Sequence, residues 1–179
     1  MKVCVFGAAS ELIKREYIEK AERLGESLAK GGHSLVFGAG NSGMMGAAAR
    51  GFKRGGGYIH GIVPRFFVDE GLEPMYKESD KTTYTDDMAQ RKKLMEDEAD
   101  VFVILPGGVG TMEEFFEVIT LKQLSRHKKA VIVYNIDGFY DGLESFMRRL
   151  REEKFLSENV ALYAFVDSAE EVTDIINRL

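Results

Sequence analysis

The sequence predicts an α/β protein, built as an open, mostly parallel sheet with helices on both faces. Three observations carry this. Short apolar runs alternate with longer amphipathic segments along the whole chain. One of those runs, Val101-Phe102-Val103-Ile104-Leu105, is apolar at every position, as a strand covered on both faces must be. Turns follow the strands at Gly7–Ser10, Gly38–Gly46 and Pro106–Thr111, the last two rich in glycine. In such sheets ligands bind outside the carboxyl ends of the strands, so these three turns are the places to look for a site.

In chain order, Val3–Phe6 reads as the first strand. Glu16–Lys30 reads as a helix with Tyr17, Ala21, Leu24 and Leu28 on one face, stopped by Gly31-Gly32. Ser34–Phe37 is the second strand, followed by a glycine-rich turn and a helix of small residues over Gly43–Lys53. Tyr58–Val63 is a third strand, ended by Pro64. Arg65–Asp80 reads as an irregular loop near the site, and Thr82–Thr85 as a short strand. Asp86 or Asp87 caps a helix that runs to about Glu98. After the buried strand Val101–Leu105 come a helix over Thr111–Leu124, a strand over Ala130–Tyr134 and a helix over Tyr140–Lys154. A strand over Ala161–Val166 and a helix over Ala169–Arg178 complete the pattern. No linker, repeat or low-complexity segment interrupts it, so residues 1–179 are expected to form a single Rossmann-like domain.

The composition narrows the class of partner. Of the residues 45% are hydrophobic and 30% charged, which suits a globular chain with a sizeable core. The formal net charge is -5 and the pI about 5.4. That balance argues against duplex nucleic acid or an anionic membrane as partner, and favours a small anion held by a few local cations. No apolar stretch approaches the roughly 20 residues of a membrane span, and the first apolar run ends too early, at Glu11, for a signal peptide. The single cysteine, Cys4, is expected in the core and fits a reducing, cytoplasmic setting.

Gly38-Ala39-Gly40-Asn41-Ser42-Gly43 has the spacing of a dinucleotide fingerprint, but the next strand, Tyr58–Val63, lacks the acid that would bind ribose hydroxyls. Tight packing at a strand-to-helix turn, or approach of a phosphate to the helix N-terminus, explains these glycines better. Pro106-Gly107-Gly108-Val109-Gly110-Thr111 is more informative. It follows the buried strand and opens a helix, where free backbone N–H groups and the helix dipole favour an anion, and Thr111 adds a hydroxyl. It is no Walker loop, because the Lys-Ser/Thr ending is missing. A tight turn alone would explain one or two of its glycines.

The helix beyond it carries Phe115, Phe116, Val118, Ile119, Leu121 and Leu124, leaving little polar surface. Glu114 shares a face with Val118 and Leu121, so its carboxylate is either partly buried or lines a cavity. Glu113 suits the simpler role of complementing the helix dipole. On the preceding helix Met88, Met95 and Ala99 mark the buried stripe, flanked by Arg91 and Lys92. An arginine so placed is costly unless it meets an anion, either a ligand or a structural glutamate. His33, His60 and His127 have no spacing suggesting a metal site or a triad, and neither a serine elbow nor a base beside Cys4 is present.

Pro-Gly-Gly-x-Gly-Thr-x-x-Glu at 106–114, preceded by Met88-Ala89-Gln90-Arg91-Lys92, resembles the LOG family of cytokinin-activating phosphoribohydrolases. The likeness extends over most of the chain, through Gly43-Met44-Met45-Gly46, Phe115–Thr120 and Asn135–Tyr140. The resemblance implies cleavage of the N-glycosidic bond of a nucleoside 5′-monophosphate, a cytokinin riboside monophosphate or AMP, to free base and ribose 5-monophosphate. It implies Arg91 and Glu114 as the catalytic pair. Glu70, Lys92, Gly107, Gly108, Val109, Gly110, Thr111, Met112, Glu113 and Thr120 are the implied substrate-binding residues. No metal and no cofactor are implied, and a homodimer with its sites near the interface is. The label lysine decarboxylase that many relatives carry finds no support in the residues, since nothing suggests a pyridoxal phosphate site.

The chain departs from its relatives at Ala89, where they commonly have His, and at Leu121, where they have Trp. It also departs in the turn Phe6-Gly7-Ala8-Ala9-Ser10, where they have one like Cys-Gly-Ser-Ser. These changes bear on the base pocket more than on hydrolysis. The competing reading is a carrier that binds a nucleotide or molybdenum cofactor without turnover. The pair Arg91 and Glu114 favours the enzyme.

Overall fold

A computed structural model of the chain describes residues 1–156 and 161–179. Seven strands form one sheet: β1 (Lys2–Phe6), β2 (Ser34–Phe37), β3 (Ile59–Pro64), β4 (Lys81–Thr85), β5 (Val101–Ile104), β6 (Ala130–Tyr134) and β7 (Ala164–Val166). Their order is β4-β3-β2-β1-β5-β6-β7, and every neighbouring pair is parallel. The helices are α1 (Arg15–Lys30), α2 (Gly43–Arg54), α3 (Arg65–Asp69), α4 (Met88–Glu98), α5 (Val109–Gln123), α6 (Asp141–Glu152) and α7 (Ala169–Asn177), with a 3-10 turn over Ile136–Gly138.

Alternate residues of each strand feed two cores. Val3, Val5, Leu35, Phe37, Val101 and Val103 pack with α1, α2 and α7, whereas Cys4, Phe6, Val36, Phe102 and Ile104 pack with α4, α5 and Met147 of α6. Cys4 is fully buried, and burial pushes its thiol well above the ordinary range, as befits a core residue. The strand order reverses direction at β1, which has β2 on one side and β5 on the other. Crossovers leave β1 and β5 on opposite faces, so a crevice opens between the loops that follow them.

The elements depart from the sequence reading at three places. Residues 65–69 form a short helix where a loop was expected. None of its residues is buried, so it has no apolar stripe that a periodic pattern could reveal. β7 covers three residues rather than Ala161–Val166, because β6 offers it partners only from Ile132 to Tyr134. α5 begins at Val109 rather than Thr111, so the glycine turn donates its last residues to the first turn of the helix. Asp87 is the cap of α4, its side chain accepting from the Gln90 N–H at 2.8 Å.

Candidate functional site

Two helices begin at the crevice, and their first amides have different fates. The loop after β1 runs back over α2, so the Ala8 carbonyl accepts from Met44 N–H at 2.7 Å and Met45 N–H at 3.3 Å. Two of the three first amides of α2 are therefore taken by protein. α5 is capped by Gly108, which has no side chain to offer. Among the described residues the amides of Val109, Gly110 and Thr111 have no hydrogen-bond acceptor. Three free N–H groups at the positive end of a helix make an anion site. Of the two glycine turns, the second is the one whose helix opens on amides without acceptors among the described residues.

Gly107 is required by close approach: a Cβ there would lie 2.1 Å from Thr111 Oγ1 and 2.5 Å from Thr111 Cβ. Gly108 and Gly110 face open space, which leaves their backbone accessible to a ligand. The Ala8 N–H donates to the Pro106 carbonyl at 3.2 Å, and Tyr140 OH donates to the Leu105 carbonyl at 2.8 Å, so the turn is braced from both sides.

A cavity of about 390 Å³ opens over this helix start. The β1 loop (Gly7–Ser10) forms one wall, Gly108, Gly110, Thr111, Glu113 and Glu114 another. Met45, Phe67, Glu73, Met88 and Arg91 close the rest. Arg91 is only 5% exposed. Its Nε donates to the Ile62 carbonyl at 3.2 Å, its Nη2 donates to the Gly38 carbonyl at 3.0 Å, and the guanidinium lies 5.5 Å from the centroid of the Phe67 ring. Among the described residues no carboxylate forms an ion pair with it. Burial lowers its pKa, with Glu114 and then Glu73 pulling the other way, and a guanidinium stays charged regardless. A buried cation whose partners among the described residues are all neutral is a standing attraction for an anion entering the cavity.

Burial pushes the half-buried Glu114 carboxyl up to about 7, against the pull of Arg91 and with help from Glu113. Desolvation outweighs the more distant charge, because the arginine is committed to backbone carbonyls. Burial likewise raises Glu73, again against Arg91, and the buried Glu73 Oε1 has no hydrogen-bond partner among the described residues.

Of the residues singled out in the sequence, Arg91, Glu114, Gly108, Gly110, Thr111 and Glu113 line this cavity, and Gly107 lines an adjoining one with Ile13, Tyr17 and Phe139. Others lie apart. Glu70 is exposed at the end of α3, and Glu73 takes the cavity position instead. Lys92 pairs with Glu113 and Glu117, which push its ammonium above the ordinary range although burial works against the charge. Val109 is 89% exposed, Met112 packs against the core beneath α5, and Thr120 is on that helix's exposed side. Ala89 and Leu121 are absent from the lining, whereas Ala8 and Ala9 are part of it.

Glu73 escaped the sequence reading because a loop places it. Asn41 N–H donates to the Pro74 carbonyl at 2.8 Å and Tyr76 N–H to the Ala39 carbonyl at 2.9 Å, laying residues 73–76 against the turn after β2. The only sequence signal was a glycine, Gly40, standing where Glu73 needs room.

Another cavity, about 470 Å³ and lined by Lys20, Arg23, Tyr134, Glu170 and others, offers no such chemistry. The adjacent start of α7 is already capped by Ser168 in a reciprocal pair with Glu171. Among the described residues no group of three His, Cys, Asp or Glu side chains is placed to hold a metal ion, and no helix is long and apolar enough to cross a membrane.

Fold and site together define a Rossmann-like α/β protein with an open helix N-terminus at the topological switch point of its sheet. Residues 45–176 match the family described as "Possible lysine decarboxylase". The chain is 35% identical over 178 residues to cytokinin riboside 5'-monophosphate phosphoribohydrolase LOG4 of Arabidopsis thaliana, covering 99% of this chain and 81% of that protein. It is 36% identical to the phosphoribohydrolase LOG of Oryza sativa subsp. japonica, covering 88% of this chain and 64% of the rice protein. The chain thus spans a little under two thirds of some curated relatives. It belongs to this family, that of the LOG proteins. Among solved structures, an X-ray structure determined as a structural-genomics target matches with a TM-score of 0.76 at 26% identity, covering 99% of both chains. The molybdenum cofactor carrier protein of Chlamydomonas reinhardtii matches with a TM-score of 0.75 at 20% identity, covering 99% of this chain and 95% of that one, which shows a shared fold.

Proposed function

We propose that this chain hydrolyses the N-glycosidic bond of nucleoside 5′-monophosphates, cytokinin riboside monophosphates and AMP among them, to free base and ribose 5-monophosphate. One observation carries the reading: an open helix N-terminus, a buried arginine without an ion pair among the described residues and a half-buried glutamate poised near 7 line one cavity. The phosphate binds the free amides of Val109, Gly110 and Thr111. Arg91 holds the nucleotide's negative charge. Glu73, with an unpartnered oxygen, accepts a hydrogen bond from a ribose hydroxyl. Breaking the ribosyl bond builds positive charge at the anomeric carbon, which an ionised Glu114 stabilises. Water then gives its hydroxyl to that carbon, and its proton passes through Glu114 to the departing base.

A carboxyl with a pKa near 7 can take and return that proton at neutral pH. The names of the relatives support the same reading. Decarboxylation of lysine through a Schiff base finds no lysine in the cavity lining among the described residues. The likeness to the molybdenum cofactor carrier rests on fold, and a carrier has no need of Arg91 and Glu114 together.

The homodimer belongs to the same proposal, supported by the exposed Val109 and Phe116 on α5 beside the cavity. The test is base release from AMP and a panel of nucleoside monophosphates. Wild type is expected to release base, and Glu114→Gln and Arg91→Ala to lose that activity while remaining folded. Full activity in either variant, or tight binding without release by wild type, would sink the assignment.

A further inference from the structure

The turn after β2 carries glycines that the phosphate cradle does not use, and they divide by what stands against their α-carbons. A Cβ on Gly43, whose φ is +59°, would lie 2.4 Å from the Ala8 carbonyl oxygen, and one on Gly46 would lie 1.8 Å from the Asn41 carbonyl oxygen. Those two glycines make room for backbone. Gly38 and Gly40 face the ends of charged side chains. A Cβ on Gly38 would fall 1.8 Å from Arg91 Nη2 and 2.9 Å from its Cζ. A Cβ on Gly40 would fall 2.0 Å from Glu73 Oε1 and 2.9 Å from its Cδ. Backbone conformation does not demand glycine at either place, since neither has a positive φ; the left-handed residue between them is Ala39, at φ 64°.

The same short turn grips both charged groups from behind. The Gly38 carbonyl accepts the Arg91 Nη2 bond at 3.0 Å. The Ala39 carbonyl and the Asn41 N–H hold the loop that carries Glu73. We propose that Gly38 and Gly40 are positioning residues: their bare α-carbons seat the Arg91 guanidinium and the Glu73 carboxylate and fix the two charges relative to each other. A methyl group at either position meets the movable end of a side chain, so the charge shifts and the backbone stays. A misplacement of about 1 Å in a catalytic constellation costs on the order of 100-fold in rate. The proposal rests on the reading of the cavity as a hydrolytic site only for its kinetic consequence.

The test has two arms. In the kinetic arm, Gly38→Ala is expected to lower kcat for base release about 100-fold with a much smaller change in KM. Gly43→Ala, which collides with backbone, should lower the melting temperature instead. The second arm needs no activity. In protein labelled with 15N-arginine, the Arg91 Nε–H resonance, assigned from its disappearance in Arg91→Lys, should shift and exchange faster in Gly38→Ala. The melting cost of Gly38→Ala should largely vanish in an Arg91→Ala background, because the clash partner is gone.

An unmoved resonance together with an undiminished melting cost would overturn the seat, whatever the enzyme's substrate. If wild type releases no base while the resonance moves as expected, the functional reading fails and the seat stands. If Gly38→Ala does not fold, recovery of folding in Gly38→Ala/Arg91→Ala supports the seat and its absence refutes it.

Discussion

Glu114→Gln should make the protein more stable, and only above a definite pH. Burial lifts this carboxyl from 4.5 to about 7 in the folded chain. Between those values the folded chain keeps a proton that the unfolded chain has lost, so stability falls as pH rises through the window. Below about 4.5 both states are protonated and nothing is lost; above about 7 the cost is complete. At about 1.4 kcal/mol per tenfold change in equilibrium, the ceiling is about 3 kcal/mol. Water entering the open cavity recovers part of this, and half of the ceiling, about 1.5 kcal/mol, corresponds to a rise in Tm of roughly 3–6 °C for a chain of this size.

Glutamine keeps the volume and removes the ionisation. Thermal melts of both proteins at pH 5 and pH 8.5 read the effect directly. The variant's advantage should be small at pH 5 and full at pH 8.5, while its base release is lost at both. A Tm difference that does not change with pH would refute the reasoning, as would a variant less stable than wild type at pH 8.5. The expected pattern is that of a side chain retained for chemistry at a cost to the fold.

Two further outcomes test other parts of the structure. Glu73→Gln, which keeps the shape but removes the charge facing Arg91, should reduce base release by about 10-fold or more with an unchanged fold by circular dichroism, whereas Glu70→Gln should leave the rate alone. His60 is buried near the amino end of β3, its Nδ1 2.9 Å from Glu98 Oε2 and its Nε2 2.8 Å from Thr83 Oγ1. His60→Ala should therefore cost about 1–3 kcal/mol in a denaturant titration without altering kcat, since the cavity lies at the other end of the sheet.

The parts of the fold that the sequence made legible are those governed by local pattern. Val101–Leu105 announced a strand buried on both faces, Asp87 announced its cap, and the turn at 106–111 announced a helix start suited to an anion. Each depends on neighbours within a few positions. Arg91 and Glu114 were readable because both sit on helices, where spacing assigns a face. Glu73 was not, because its position follows from backbone bonds between residues more than thirty apart along the chain. Its neighbour Glu70 was chosen instead on resemblance. The state of Glu114 was illegible for a related reason: sequence shows that an arginine is available, but not that it is spent on the carbonyls of Ile62 and Gly38. For the glycines at 38 and 40 tight packing and phosphate approach both stay open in the sequence, which cannot distinguish room left for a ligand from room left for the protein's own atoms.

The Ala8 carbonyl that closes the start of α2 also makes a mechanical linkage. The β1 loop forms a wall of the cavity, and its grip on the Met44 and Met45 amides means that a ligand pressing on Ala8 or Ala9 pulls on α2. Those two amides are buried with their residues, so their hydrogen exchange is slow unless that grip opens. Their exchange is therefore expected to change when a ligand presses on the β1 loop, and to stay unchanged when a molecule fills the cavity without touching that loop.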